Sequence, residues 1–326
     1  VTDLQLQPAD EHAHTPQEQR WWGESWYLDF TTEDGTLGGY VRIGLYPNQG
    51  RAWYWACLVG KDRPLVTVID HHVPLPRPGS LEIRTEGLWA DHNVEAPFEH
   101  MTIGCEAFAV AVEDPAEVYG RLRGDRVPFG LDLEWETVGP GAYPYPGTSR
   151  YEIPCRVHGE ILVGDERIDF DGLGQRDHSW AVRDWWQFGW VWTAGALDDG
   201  TRFHGARIRV PGLESYTPGY VQAPDGARTG IDRCLAAETP GEHGFPVEAS
   251  FRCGDLGLAI DPVAFSPVLL VDEYEGRTGR FPRALCRFEA DDGRRGVGWT
   301  EWNQPSQSDT GGGPDARSES TSGGVG

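Results

Sequence analysis

The chain has 326 residues, with 51 Asp and Glu against 28 Lys and Arg and a formal net charge of −23. Nucleic acid and anionic membrane surfaces need clustered cations, so this balance speaks against both as partners and for an acidic, soluble surface. The length fits two domains of about 150 residues each, and 14 Trp give rings enough both to fill a core and to wall a cavity. Residues 1–20 read as a polar, His- and Gln-rich arm, and 305–326 as a Gly/Ser-rich disordered tail. Between them the pattern is strand after strand. Residues 41–46 alternate with period two, 52–58 less cleanly, and 65–69, 81–84, 103–112, 131–138, 151–163 and 167–170 read similarly. A short helix is signalled once, opening at Asp114-Pro115 and stopping at Gly124. Further strands are expected over 188–197, 202–210, 247–253, 285–289 and 296–302. Glu33-Asp34-Gly35, Asp198-Asp199-Gly200 and Asp291-Asp292-Gly293 each separate two runs, as hairpin turns do. Many short strands with almost no helix predict an all-β chain of two packed barrel or sandwich domains. The least patterned stretch, 139–145, places the boundary so that the domains span 21–142 and 143–304.

The six cysteines, Cys57, Cys105, Cys155, Cys234, Cys253 and Cys286, include no C-x-x-C pair, and no His stands at zinc-finger spacing. The first residues show no cationic region leading into an apolar run. No stretch approaches 18 uninterrupted apolar residues, so no membrane-spanning helix is expected. The expectation is a cytoplasmic protein with free thiols.

The sharpest chemical signal runs from Gly172 to Trp192, where Arg176, Asp177, His178, Arg183 and Asp184 are set among Trp180, Trp185, Trp186, Trp190 and Trp192. Charges inside an aromatic run are costly unless they are paired or at work. Burial against indole faces raises a carboxyl pKa and an adjacent Arg lowers it, and a proton donor needs the first effect to win. Gly172-Leu-Gly begins a dinucleotide-loop pattern without completing it, and Ser179 lacks the Gly-x-Ser-x-Gly elbow of a hydrolase nucleophile. Asp70-His71-His72 and Asp91-His92 with Glu95, Glu99 and His100 are His–acid clusters whose spacing fits known metal sites poorly. No metal and no cofactor are expected. His204, on the strand after the 198–200 turn, faces back across its hairpin as a candidate for a cavity wall.

Two segments together resemble the hydroxyneurosporene synthase (carotenoid hydratase) and AttH-like superfamily of paired lipocalin-like domains, in its actinobacterial branch. Glu24-Ser-Trp-Tyr27 with the Thr31-Thr-Glu-Asp-Gly35 turn is similar to the family's first mark. Gly172 to Trp180, then Gly189-Trp-Val-Trp192 and Leu197-Asp-Asp-Gly200, reproduce the order of its second. Ser25 stands where the family has Trp, which widens a pocket, and Ala181 stands where Gly is usual. The resemblance implies a hydrophobic cavity at a domain junction or barrel mouth. It further implies acid-assisted or shape-directed chemistry on isoprenoid, steroid-like or polyketide skeletons.

By this resemblance Asp177 matches the proton donor, with His178 and Arg176 tuning it. Trp26, Tyr27, Arg176, Trp180, Trp190, Trp192 and His204 are the expected substrate-binding residues. The expected function is a cofactor-independent hydratase, isomerase or cyclase acting on a lipophilic small molecule. Two other readings remain: a carrier or sensor that binds such a ligand unchanged, and a structural corner in which Arg–Asp pairs lock two domains.

Overall fold

When a strand is buried on both faces its sequence loses its polar alternation, and the first three strands of this protein do so almost completely. The computed structural model describes residues 5–210 and 212–305. The tail expected at 305–326 lies outside the described residues apart from Pro305, which ends the last strand.

The first sheet is built from β1 (Trp22–Thr31), β2 (Leu37–Tyr46), β3 (Arg51–Gly60), β4 (Leu65–Val73), β5 (Ile83–Thr85), β6 (Leu88–Ala96), β7 (His100–Val112), β8 (Asp125–Thr137), β9 (Tyr143–Pro144), β10 (Arg150–Val163) and β11 (Glu166–Val182). Its order is β4-β3-β2-β1-β11-β10-β8-β7-β6-β5, and an added β4–β7 pairing, Leu65 opposite Val112, closes eight strands into a barrel. Closure removes the open edges that would otherwise invite aggregation.

The second sheet comprises β12 (Gly189–Leu197), β13 (Arg202–Arg209), β14 (Gly219–Gln222), β15 (Arg228–Ile231), β16 (Cys234–Pro240), β17 (Pro246–Cys253), β18 (Leu256–Phe265), β21 (Arg283–Ala290) and β22 (Arg295–Pro305), with β19 (Val268–Asp272) and β20 (Arg277–Phe281) attached through β22. Three cores follow from these two sheets. Trp26, Leu28, Phe30, Ile43, Tyr54 and Trp135 fill the closed barrel. Phe203, Phe251, Phe288 and Trp302 fill the fold of the second sheet. The opposite faces of β1–β3, carrying Tyr27, Tyr40, Trp53 and Trp55, pack on Trp192, Leu285, Phe281 and Trp299 of the second sheet. Each large side chain so buried contributes about 1.5–3 kcal/mol.

The three Asp-containing turns fall between β1 and β2, β12 and β13, and β21 and β22, as expected, and Gly35, Gly200 and Gly293 take φ of +64°, +88° and +88° there. Other expectations change. The sheets divide the chain at the 183–188 connection, not at 142, because β10 and β11 hydrogen-bond to β8 and β1 and so complete the first barrel. The expected helix is a single 3-10 turn, Pro115–Tyr119, capped by Asp114. No α-helix occurs among the described residues, and none is long and apolar enough to cross a membrane.

The described part of the N-terminal arm is docked, not loose. Glu11 is fully buried, accepts from Arg176 at 2.9 Å, and offers its carbonyl to the Trp26 indole at 3.1 Å. A buried guanidinium needs a carboxylate, and the arm supplies it. All six cysteines are buried and free.

Candidate active site

Residues directly opposite one another on antiparallel strands share a face. The registers therefore lay Trp55, Arg42, Tyr27, Asp177 and Glu152 in one row across β3, β2, β1, β11 and β10. This row lies on the outer face of the barrel, beneath the second sheet. The next row, Tyr54, Ile43, Trp26, His178 and Tyr151, points into the barrel.

Asp177 is only 6% exposed, and the guanidinium of Arg150 donates to its Oδ2 at 2.8 Å. The same guanidinium donates through Nε to Glu152 Oε1 at 2.8 Å. Glu152 is completely buried and also accepts from the Trp192 indole and from Gln175 Nε2, each at 3.0 Å. His204 Nε2 stands 3.6 Å from Glu152 and accepts from the Tyr145 hydroxyl at 2.5 Å, while its Nδ1 donates to the Thr193 carbonyl at 3.0 Å. On the far side, Glu301 accepts from the Trp190 indole and pairs with Arg283, both at 3.0 Å.

These surroundings drive the two neighbouring carboxyls apart. Burial pushes Asp177 up to about 7; Arg150 opposes this, and Glu152 and Glu301 reinforce it. Burial also works against the Glu152 carboxylate, but His204, Arg150 and the donors around it outweigh that and hold its pKa below the ordinary value. Two titratable groups whose environments separate their pKa values are the usual arrangement of an acid beside a permanent anion. Burial lowers His204 to about 4, against the pull of Glu152.

Ser25, Tyr27, Arg42, Arg183, Trp185, Phe281 and Arg283 complete the wall of a chamber of about 20 Å³ at Asp177. The expected Trp-walled cavity is not what the rings make. Trp53, Trp55, Trp185 and Trp190 pack on each other at centroid distances of 5.1–6.1 Å, and Trp185 alone of the tryptophans borders the chamber. A much larger cleft of about 940 Å³ opens elsewhere, between the β1–β2 turn and the second sheet, bordered by Asp34, Arg156, Leu173, Arg202 and Phe288. A small void beneath it shares Leu173, Ala196, Arg202 and Val297 with the cleft and reaches Asp29. Burial pushes the Asp29 carboxyl well above its ordinary range, despite donation from Gln175 N and the Tyr27 hydroxyl.

Of the residues singled out in the sequence, Asp177, Tyr27, Trp190, Trp192 and His204 converge on this interface. Arg176, His178, Trp26 and Trp180 do not. Period two turns them into the barrel, so Arg176 and His178 cannot tune Asp177 by direct contact. Arg176 pairs with Glu11, and His178 stacks on Trp26 at 4.2 Å and meets Glu24 at 2.8 Å. Burial lowers the His178 pKa, although Glu24 opposes it. Arg150, Glu152 and Glu301 were missed. The signal available was Arg150 and Glu152 at i and i+2 on a strand, hence on one face. The two His–acid clusters scatter: His71 packs on Trp53, His72 pairs with Glu273, His92 points into the barrel and His100 pairs with Glu134. Ser25 does border the chamber, and Ala181 sits in ordinary strand pairing opposite Gly23.

The fold is shared with several crystal structures. NE1406 of Nitrosomonas europaea, described as an AttH, superposes with a TM-score of 0.63 at 15% identity, over 93% of this chain and 98% of that one. Kievitone hydratase from Nectria haematococca gives 0.57 at 10% identity, over 88% and 90%. CghA with Sch210972 gives 0.57 at 10% identity, over 90% and 93%. The AttH-like resemblance thus holds at the level of the two-domain, lipocalin-like fold. No curated protein sequence matches the chain. One family model covers nearly all of it, residues 7–306, and the chain belongs to that family, described as "Domain of unknown function (DUF7064)".

Proposed function

We propose that this protein is a cofactor-independent acid catalyst of the hydratase or cyclase type, acting on a lipophilic isoprenoid, steroid-like or polyketide molecule. Asp177 is the general acid. The observation that carries this reading is a buried carboxyl, raised to about 7, at the edge of a chamber between two sheets. At neutral pH a large share of that carboxyl keeps its proton, whereas its neighbour Glu152 stays ionised.

In a hydration, the Asp177 proton passes to an alkene carbon and leaves a carbocation. A chamber of about 20 Å³ has room for about one water. That water adds to the cation and returns a proton to the Asp177 carboxylate, which restores the acid. In a cyclisation, an internal alkene or enol attacks the cation in place of the water, and the ring-closed cation gives a proton back to the Asp177 carboxylate. The chamber holds no more than that water, so the reacting end of a substrate reaches Asp177 only when the side chains that wall it give way. Kievitone hydratase, by its name, adds water to kievitone, and it does so on this same fold.

The test is incubation with a panel of lipophilic alkenes and tertiary alcohols, followed by extraction and mass spectrometry for gain or loss of one water. Asp177→Asn should keep its far-UV dichroism and its ligand binding by Trp fluorescence while turnover falls by about 10²–10⁴, the share a positioned proton donor supplies. Turnover equal to wild type would refute the assignment. The cleft of about 940 Å³ favours a second reading, since ligand pockets typically measure about 300–1,000 Å³. A carrier would return every panel compound bound but unchanged.

A further inference from the structure

Three side chains that could ligate a metal converge inside the mouth of the first barrel, on the face of β11 opposite to Asp177. Glu24 lies on β1 across from Trp180, and His178 lies two residues along β11 on the same face. His14 arrives from the segment that precedes β1. His14 Nδ1 is 2.6 Å from Glu24 Oε1, and His178 Nε2 is 2.8 Å from the same oxygen. The three donor atoms all lie within 4.8 Å of one another, and this is the one such group among the described residues.

The outer contacts of both imidazoles are those of ligands. Metal-bound histidines donate their second ring N–H to a carbonyl or carboxylate, which fixes the tautomer and aims the lone pair. His178 Nδ1 stands 2.8 Å from the Asp10 carbonyl, and His14 Nε2 stands 3.1 Å from the Asp10 carboxylate. A carbonyl only accepts, so His178 Nδ1 carries the proton. Nε2 then faces a carboxylate oxygen 2.8 Å away, so either a second proton or a metal cation must lie between two groups that would otherwise repel. A cation between them removes the conflict. Indole faces hold both rings in place: Trp180 stacks on His14 at 4.0 Å and Trp26 on His178 at 4.2 Å.

We infer that His14, Glu24 and His178 bind one zinc-class divalent cation, which pins the N-terminal segment onto the first barrel. Two imidazole nitrogens and a carboxylate oxygen suit Zn²⁺ better than Ca²⁺ or Mg²⁺, which prefer all-oxygen shells. Tetrahedral bonds of about 2.0–2.1 Å place donors about 3.3 Å apart. The rings need therefore retreat from Glu24 by only some tenths of an ångström. A water completes the shell. The site is independent of Asp177, which faces the other way.

The experiment uses the full, untagged chain. After stripping with a chelator and dialysis, Zn²⁺ is added and bound metal is counted by mass spectrometry, with Co²⁺ absorption reporting coordination. The expected result is one equivalent per chain, a tetrahedral Co²⁺ spectrum and a rise in Tm on loading. His14→Ala, at a partly exposed position, should keep native dichroism, lose the metal, and show the same Tm with and without Zn²⁺. Asp10→Asn keeps all three donors and should bind about 10–100-fold more weakly. Asp177→Asn should bind as wild type does. If wild type retains no Zn²⁺ or Co²⁺, a proton bridges the cluster and the inference fails. Equal binding by His14→Ala refutes it too.

Discussion

Asp177 and Glu152 stand directly opposite each other on β11 and β10 and share a single guanidinium, that of Arg150. Facing carboxylates in so dry a place repel, and the cation between them lets one remain charged. Replacing Arg150 by Met keeps an unbranched stem and removes the charge. Stripping one partner from a buried ion pair costs about 3–5 kcal/mol, because the remaining charge has no water to turn to. Arg150→Met should lose that amount in urea denaturation. It should also push the Asp177 titration further up, since Arg150 is the leading group holding it down. An unchanged unfolding midpoint would mean that water, not Arg150, compensates the pair.

The raised Asp177 pKa makes a second prediction about stability. The folded state holds a proton between about pH 4 and 7 that the unfolded chain releases, because the folded value is about 7 against 3.8 for an ordinary aspartate. The folded chain thus binds more protons in that window, and stability contributed by Asp177 falls as pH rises through it. At about 1.36 kcal/mol per unit the whole effect is roughly 4 kcal/mol. Asp177→Asn cannot ionise, so its stability relative to wild type should climb from pH 4 to pH 7 and level off above. Chemical denaturation of both proteins at four or five pH values measures this. Parallel curves would place the carboxyl in a wet environment.

The turns were legible because Asp-Asp-Gly has few other uses: Gly200 and Gly293 accept positive φ that a side chain would resist. The all-β class was legible from period two. The partition of the motif was not read, although the rule that reveals it is the same one. Arg176, Asp177 and His178 look like one constellation in a line of text, and a strand sends the middle residue one way and its neighbours the other. The partners of Asp177 come from places that no local pattern marks: Arg150 and Glu152 lie 25 or more residues away in sequence, and Glu301 arrives from the last strand. The N-terminal arm read as loose because its Glu11 and His14 are polar, and only the barrel strands reveal the Arg176 and Glu24 that those residues satisfy. Likewise 14 Trp suggested a cavity, while the interface between sheets consumed most of them as packing.

His92 is a case of a polar group held inside the first barrel without reward. It lies on β6 opposite Ile103, is almost fully buried, and neither ring nitrogen has a hydrogen-bond partner. Burial lowers its pKa to about 3, so it stays neutral in the folded state to well below pH 5. The unfolded chain, with an ordinary imidazole, takes up a proton as pH falls below about 6.5, and the folded state cannot follow. Stability is therefore lost as pH drops from about 6.5 toward 3. A buried polar group without a partner costs a further 1–3 kcal/mol or so at any pH. His92→Leu, which is of similar volume, should stabilise the protein by about 1–3 kcal/mol at pH 7 and by more at pH 5, flattening the acid side of the stability profile. Guanidinium melts at the two pH values give the comparison. A destabilised His92→Leu protein would show that the imidazole has a partner inside the barrel, such as an ordered water shared with the Tyr54 hydroxyl, whose ring lies 5.9 Å away and whose oxygen also lacks a protein partner.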